Sequence, residues 1–144
     1  MDDTILAIDP GRKRCGIALV NSDLRYLAGS VIKNEDLVDN LRGYIKKYGI
    51  RNMIVGSGTN SEIIITTVKE KFPEIFVTII PERDTTIEAR KYYFEYNPPR
   101  GWLRIIPSSL RIPPRPYDDF AAYAIARRFF RNPSFIPLRN KLSS

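Results

Sequence analysis

The chain has no histidine, and Cys15 is its single cysteine in 144 residues. The first absence excludes Ser-His-Asp triads, paired-histidine metalloprotease sites and imidazole-bound zinc. The second excludes an intrachain disulfide and any thiolate metal cluster. Chemistry must therefore rest on carboxylates, lysines, hydroxyls, Cys15 or a hard metal ion. No apolar run approaches the roughly 18 residues of a membrane span. The start, Met1-Asp2-Asp3, is acidic where a secretory signal has a basic start and a longer apolar stretch. A cytoplasmic location with no membrane partner is the expectation. Repeats, low-complexity tracts and dividing linkers are also lacking, so residues 1–144 read as a single domain, large enough to bury a core without covalent staples.

What the chain does have is positive charge, unevenly placed. The formal net charge is +7. From Pro99 onward, eight Arg and one Lys face only Asp118 and Asp119, so the whole excess lies in the last third. Arginine is the better bidentate partner for phosphate, and an asymmetry of this kind points to a polyanionic partner.

Periodicity gives the order of elements. Residues 4–9, 15–21 and 25–32 read as three strands, the first two joined by the turn Asp9-Pro10-Gly11. Leu37, Val38, Leu41, Tyr44, Ile45 and Tyr48 form a helical stripe that Gly49 ends. "NMIVGSG" is a short buried strand entering a Gly-rich turn, and Asn60 or Ser61 is placed to cap a helix carrying Ile64, Val68 and Phe72. "IFVTII" is a fifth strand. Thr85-x-x-Glu88 opens a helix as a capping box, with Ala89, Tyr92, Tyr93 and Tyr96 on its apolar side. Residues 97–117 are rich in Pro and Arg and long enough without structure to suggest a functional loop. "DDFAAYAIARRFF" is a last helix, with Ala122, Ile125, Ala126 and Phe129 on one side. A meander followed by α/β crossovers predicts an α/β fold. Its mixed five-stranded sheet has strands one to three antiparallel, four and five parallel to one, and helices on both faces.

Acids at three places along the chain stand where such a sheet would bring them together. Asp9 closes the first strand, Glu82 follows the fifth, and Asp118 and Asp119 open the last helix. Sites in these sheets form beyond the carboxyl ends of the parallel strands. Clustered carboxylates repel one another unless a cation intervenes, and all-oxygen ligation selects Mg²⁺ or Mn²⁺ over zinc. Two such ions about 4 Å apart support phosphodiester cleavage by activating water and stabilising the leaving oxygen. Each acid also has a plainer reading: a turn residue for Asp9, a strand-end surface residue for Glu82, an N-cap for Asp118 or Asp119.

The combination resembles an RNase H-like family that includes YqgF-type pre-16S rRNA nucleases and, more distantly, RuvC-type Holliday junction resolvases. "ILAIDPGRKRCGIALV" is similar to the family's opening hairpin, "IVGSGTNS" to its Gly-rich turn, and "PERDTTIEAR" to its Glu-Arg-x-Thr-Thr segment. "NPPRGWLRIIPSSLRIPPRPYDDFAAYAIA" is similar to the loop and acid-initiated helix of one branch. The resemblance implies an RNase H-like fold in which Asp9, Glu82 and Asp118 are catalytic, metal-binding acids, with Asp119 the neighbouring candidate. The resolvase pattern aligns on Asp119-Phe120-Ala121-Ala122, and only one of the two acids should point inward. Arg83 and Thr85–Thr86 match positions that steady the site or approach phosphate. Pro81 departs from the pattern, since many relatives have an acid there.

The resulting expectation is a Mg²⁺- or Mn²⁺-dependent endonuclease on structured nucleic acid, with precursor 16S rRNA ahead of branched DNA of the Holliday-junction type. The alternative is a non-catalytic nucleic-acid-binding module of the same fold. Arg12, Lys13 and Arg14 beside Asp9 would attract the phosphate backbone. Arg100, Arg104, Arg111 and Arg115 in the 97–117 loop would hold it, and Trp102 is either a stacking platform or a hydrophobic anchor for that loop. Resolvases act as dimers on two-fold junctions, so a homodimer is compatible with the resemblance.

Overall fold

An apolar run buried on both faces makes a central strand, and "ILAI" is such a run. The computed structural model describes residues 4–58, 60–81 and 86–131. In it β1 (Ile5–Asp9) has every residue before Asp9 buried and lies in the middle of a five-stranded sheet of order β3-β2-β1-β4-β5. β2 (Arg14–Val20) and β3 (Tyr26–Lys33) run antiparallel beside it. β4 (Asn52–Gly56) and β5 (Phe76–Ile80) run parallel to it. The mixed sheet is the one its periodicity predicts.

Helices cover both faces. α1 (Leu37–Tyr48) and α2 (Ser61–Lys71) bury Leu37, Leu41, Ile64 and Val68 against Leu6, Ile8, Ile17, Leu19, Met53 and Val55. α3 (Thr86–Tyr96) and α4 (Asp118–Arg131) share the other layer with Ile5, Ala7, Ala18, Val20 and Ile54. Alternation along β1 and β2 therefore aims Ala7 and Asp9, Gly16 and Ala18 toward α4. α1 ends at Gly49, whose φ of 64° is the left-handed turn that glycine adopts without strain.

Three details differ from the expectation. β2 begins at Arg14, one residue early, so Arg14 belongs to the ladder and stands opposite Lys33. Asn60 precedes α2 without capping it through its side chain. Residues 97–117 are not unstructured: short 3-10 turns occupy Gly101–Ile105 and Ser108–Leu110. Thr85, the first half of the expected capping box, lies outside the described residues, as do Arg139 and Lys141 of the basic third. No helix among the described residues is long and apolar enough to cross a membrane.

α4 approaches the sheet closely because its inner side is alanine and because position 16 has no side chain. A Cβ on Gly16 would sit 1.9 Å from the Asp118 carbonyl oxygen and 2.6 Å from the Asp119 amide nitrogen, both backbone atoms. Gly16→Ala must push the start of α4 off β2 and is expected to cost about 3 kcal/mol. Gly43→Ala, in mid α1 with nothing within 4 Å of the new Cβ, should gain about 0.5–1 kcal/mol. Urea unfolding of both variants checks the opposite signs.

Candidate active site

The register of the sheet builds one end of the molecule. Val55 pairs with both Ile8 and Ile79, so β1, β4 and β5 reach their carboxyl ends at the same level, and Asp9 emerges there. Across the hairpin Asp9 pairs with Gly16, and Gly16 is the residue on which the first turn of α4 rests. Asp9 and Asp118 consequently line one open cavity of about 390 Å³, together with Gly11, Arg12, Lys13 and Arg14. The two acids stand at opposite ends of the sequence, and the sheet and helix bring them to one place.

The cations of the turn are not loosely arranged. Arg14 Nε donates to Asp118 Oδ2 at 2.6 Å, and both side chains remain partly exposed. Gly11 is required by close backbone approach, since a Cβ there would meet the Arg14 carbonyl oxygen at 2.3 Å. Two asparagines latch the turn. Asn34 Nδ2 donates to the carbonyls of Gly11 (2.9 Å) and Arg12 (3.0 Å), and Asn60 Nδ2 donates to the same carbonyls at 3.0 and 3.2 Å. These residues hold Arg12 and Lys13 in place, and sequence reasoning missed both. Asn60 sits in the "IVGSGTNS" motif but reads locally as a cap. Asn34 carries no local signal at all, because its role depends on β3 ending beside the β1–β2 turn.

The adjacent acids separate. Asp118 faces the cavity, whereas Asp119 is 2% exposed and turned inward. Its carboxylate accepts from Tyr26 Oη at 2.7 Å and from Arg115 Nη1 and Nη2 at 3.1 and 3.2 Å. Arg115 also lies over the rings of Tyr93 and Phe120, at 5.1 and 5.8 Å. The hydrogen bond from Arg115 to Asp119 raises the guanidinium pKa further. Burial first, and the bond to Asp119 second, raise that of the Tyr26 phenol.

The remaining candidates are spread along the 97–117 loop. Arg111 donates to the carbonyls of Leu103, Arg104 and Ile106 and so ties the first 3-10 turn together. Arg100 and Arg104 are exposed. Trp102 is 70% exposed, so it is not buried as a hydrophobic anchor for the loop. Glu82 and Arg83 lie outside the described residues. Among the described residues no group of three or more Cys, Asp or Glu side chains forms a metal-binding cluster. The two acids that do meet offer only oxygen, a donor set suited to Mg²⁺ or Mn²⁺.

Cys15 registers the acidity of this corner from the other side of the sheet. It is fully buried, and its thiol is pushed up to about 12, first by burial and then by the charges of Asp9 and Asp118. It therefore stays protonated and is no soft metal ligand or nucleophile. An acid group with a raised folded pKa stabilises the fold below its unfolded pKa, here 9.0, and that stability is lost as pH rises toward about 12. From about pH 8 to about pH 10.5 the native chain should lose about 2 kcal/mol more than Cys15→Ala, read from urea unfolding at each pH.

No family model matches the chain. Among curated proteins, one from Bacteroides thetaiotaomicron named "Putative pre-16S rRNA nuclease" is 31% identical, covering 63% of this chain and 75% of its own length. A protein of the same name from Psychrobacter cryohalolentis is 26% identical over 90% of this chain and 79% of its own. Among solved structures, RuvC from Thermus thermophilus overlays with a TM-score of 0.52 at 16% identity, over 85% of this chain and 90% of that one. A "putative sugar kinase" from Cytophaga hutchinsonii overlays at TM-score 0.44 and 16% identity. The match covers 62% of this chain and 39% of that protein. The RuvC overlay and the mixed sheet order make the fold RNase H-like. With that fold in place, the 31% identity across three quarters of a curated relative decides the family: the chain belongs to the family of proteins named pre-16S rRNA nucleases.

Proposed function

We propose that the chain is a divalent-metal-dependent endonuclease that cleaves structured RNA, with precursor 16S rRNA as the substrate class. The observation that carries this reading is the shared cavity of Asp9 and Asp118, rimmed by Arg12, Lys13 and Arg14. Family membership supports the choice of RNA over branched DNA, because the relatives are named for rRNA.

Asp9 and Asp118 would hold Mg²⁺ or Mn²⁺, with Glu82, two residues beyond the end of β5, as the third acid. The bound ion supplies Lewis acidity for phosphodiester hydrolysis. The protein's own contribution is position and charge. β1 and the start of α4 fix the two carboxylates on rigid elements, and the latched turn presents Arg12 and Lys13 to the incoming backbone. Arg14 steadies Asp118 and adds a cation where negative charge grows in the transition state. Asp119 acts as a positioning residue: it holds Arg115 and Tyr26 and has no oxygen turned to the cavity. In the loop, Arg100 and Arg104 contact phosphates and Trp102 stacks on an unpaired base.

Cleavage of a precursor 16S rRNA fragment and of a four-way DNA junction in Mn²⁺ tests the reading. The RNA should be cut and the junction left intact. Asp9→Asn and Asp118→Asn should each lower the rate by roughly a thousandfold, about 4 kcal/mol in the barrier. Cleavage unchanged in Asp9→Asn would overturn the mechanism. Binding that depends on salt but not on EDTA, with no cleavage, would instead identify a non-catalytic RNA-binding module.

A further inference from the structure

A second cavity, of about 410 Å³, adjoins the acid cavity and shares Arg14 with it. Its lining is Arg14, Val31, Ile32, Lys33, Arg115 and Pro116, and no acid contributes to it. We propose that Arg14, Lys33 and Arg115 form a second phosphate subsite, seating a phosphodiester of the same strand beside the one received by Asp9 and Asp118. The proposal rests on the nuclease reading above and adds to it the course of the strand, across the β2–β3 edge.

Three observations converge on an anion. Arg14 and Lys33 are directly paired across β2 and β3, which puts their Cβ atoms about 5 Å apart on one face. Like charges so placed repel; Asp118 offsets part of this at Arg14, but among the described residues Lys33 has no carboxylate partner to relieve the rest. A phosphate between them would. Arg115, the third cation, comes from the far side of the chain and is already immobilised. Asp119 grips both of its Nη atoms, and Tyr93 and Phe120 underlie its plane. Its side chain is still 45% exposed and lines the cavity, so an immobilised cation is available there and little rotamer entropy is lost on binding. The apolar floor of Val31, Ile32 and Pro116 offers the ligand no competing side-chain hydrogen bonds.

The test is anisotropy of a fluorescein-labelled RNA stem-loop with single-stranded flanks, titrated in EDTA over a series of KCl concentrations. Each neutralised phosphate adds roughly 0.7–0.9 to the slope of log K against log salt. Lys33→Gln should flatten the slope by about that amount, and Arg115→Gln by the same. Because both cations face one phosphate, the double variant should flatten the slope no further than either single variant. Arg115→Gln leaves buried Asp119 uncompensated and can unfold the chain, so Lys33→Gln alone is decisive: Lys33 is exposed and its replacement leaves the fold intact. Lys69→Gln, on α2 in the opposite layer, is the control and should keep the native slope. A native slope in Lys33→Gln, or a double variant flattened by twice the single-variant amount, would overturn the subsite. A flattened slope in Lys33→Gln, together with a native chain that cleaves no RNA in Mn²⁺, would uphold the subsite while removing the nuclease reading.

Discussion

The contact between the first turn of α4 and Gly16 governs the rest of this molecule. Asp9 is fixed by the sheet, at the end of its central strand. Asp118 is fixed by a helix that has no covalent reason to be near it. They meet because a glycine opposite Asp9 leaves room for the helix backbone, and because Ala121, Ala122, Ala124 and Ala126 let that helix lie close along its length. Bringing two carboxylates into one partly desolvated cavity is unfavourable by itself. The 2.6 Å bond from Arg14, on the strand next to Asp9, offsets part of that cost. The favourable dipole at the helix N-terminus offsets more. Acid, glycine and arginine are thus parts of a single arrangement spread over β1, β2 and α4.

That arrangement was partly legible in the sequence. The strand directions followed from alternation and turn chemistry, and the burial of α4 from its run of alanines and aromatics. What alternation left open was which of two neighbouring acids faces the sheet edge. Successive helical residues point about 100° apart, so a shift of one residue in the helix start exchanges them. Only the packing of Gly16 against Asp118 decides it. Asn34 and Asn60 were illegible for a related reason. Each donates to carbonyls distant in sequence, and no local pattern encodes a partner that tertiary folding supplies.

The separation of Asp118 from Asp119 gives each acid a different environment. Asp119, bound by a phenol and a guanidinium and shut off from solvent, has the surroundings of a structural anion. It connects β3 through Tyr26, the loop through Arg115 and α4 through its own backbone, so it fixes where the loop ends. Asp118, with an exposed face and one arginine, has the surroundings of a group that can exchange its partner. The same contrast runs through the loop's arginines. Arg111 is tied to three carbonyls and shapes the turn, while Arg100 and Arg104 project outward.

Position therefore decides the role of each cation more than charge does. A net charge confined to the last third of the chain would, in an extended polymer, be only a basic tail. Folded, it is distributed: Arg115 returns to the β2–β3 edge, where Arg14 and Lys33 already stand opposed. The residues before Pro99 are neutral overall yet supply Arg12, Lys13, Arg14 and Lys33 to the same edge. Of that segment's acids, Asp9 lines the same cavity as Arg12, Lys13 and Arg14, whereas Asp39 pairs with Arg42 on α1. The sheet sorts a neutral segment into an uneven surface and then adds the basic segment to its positive side.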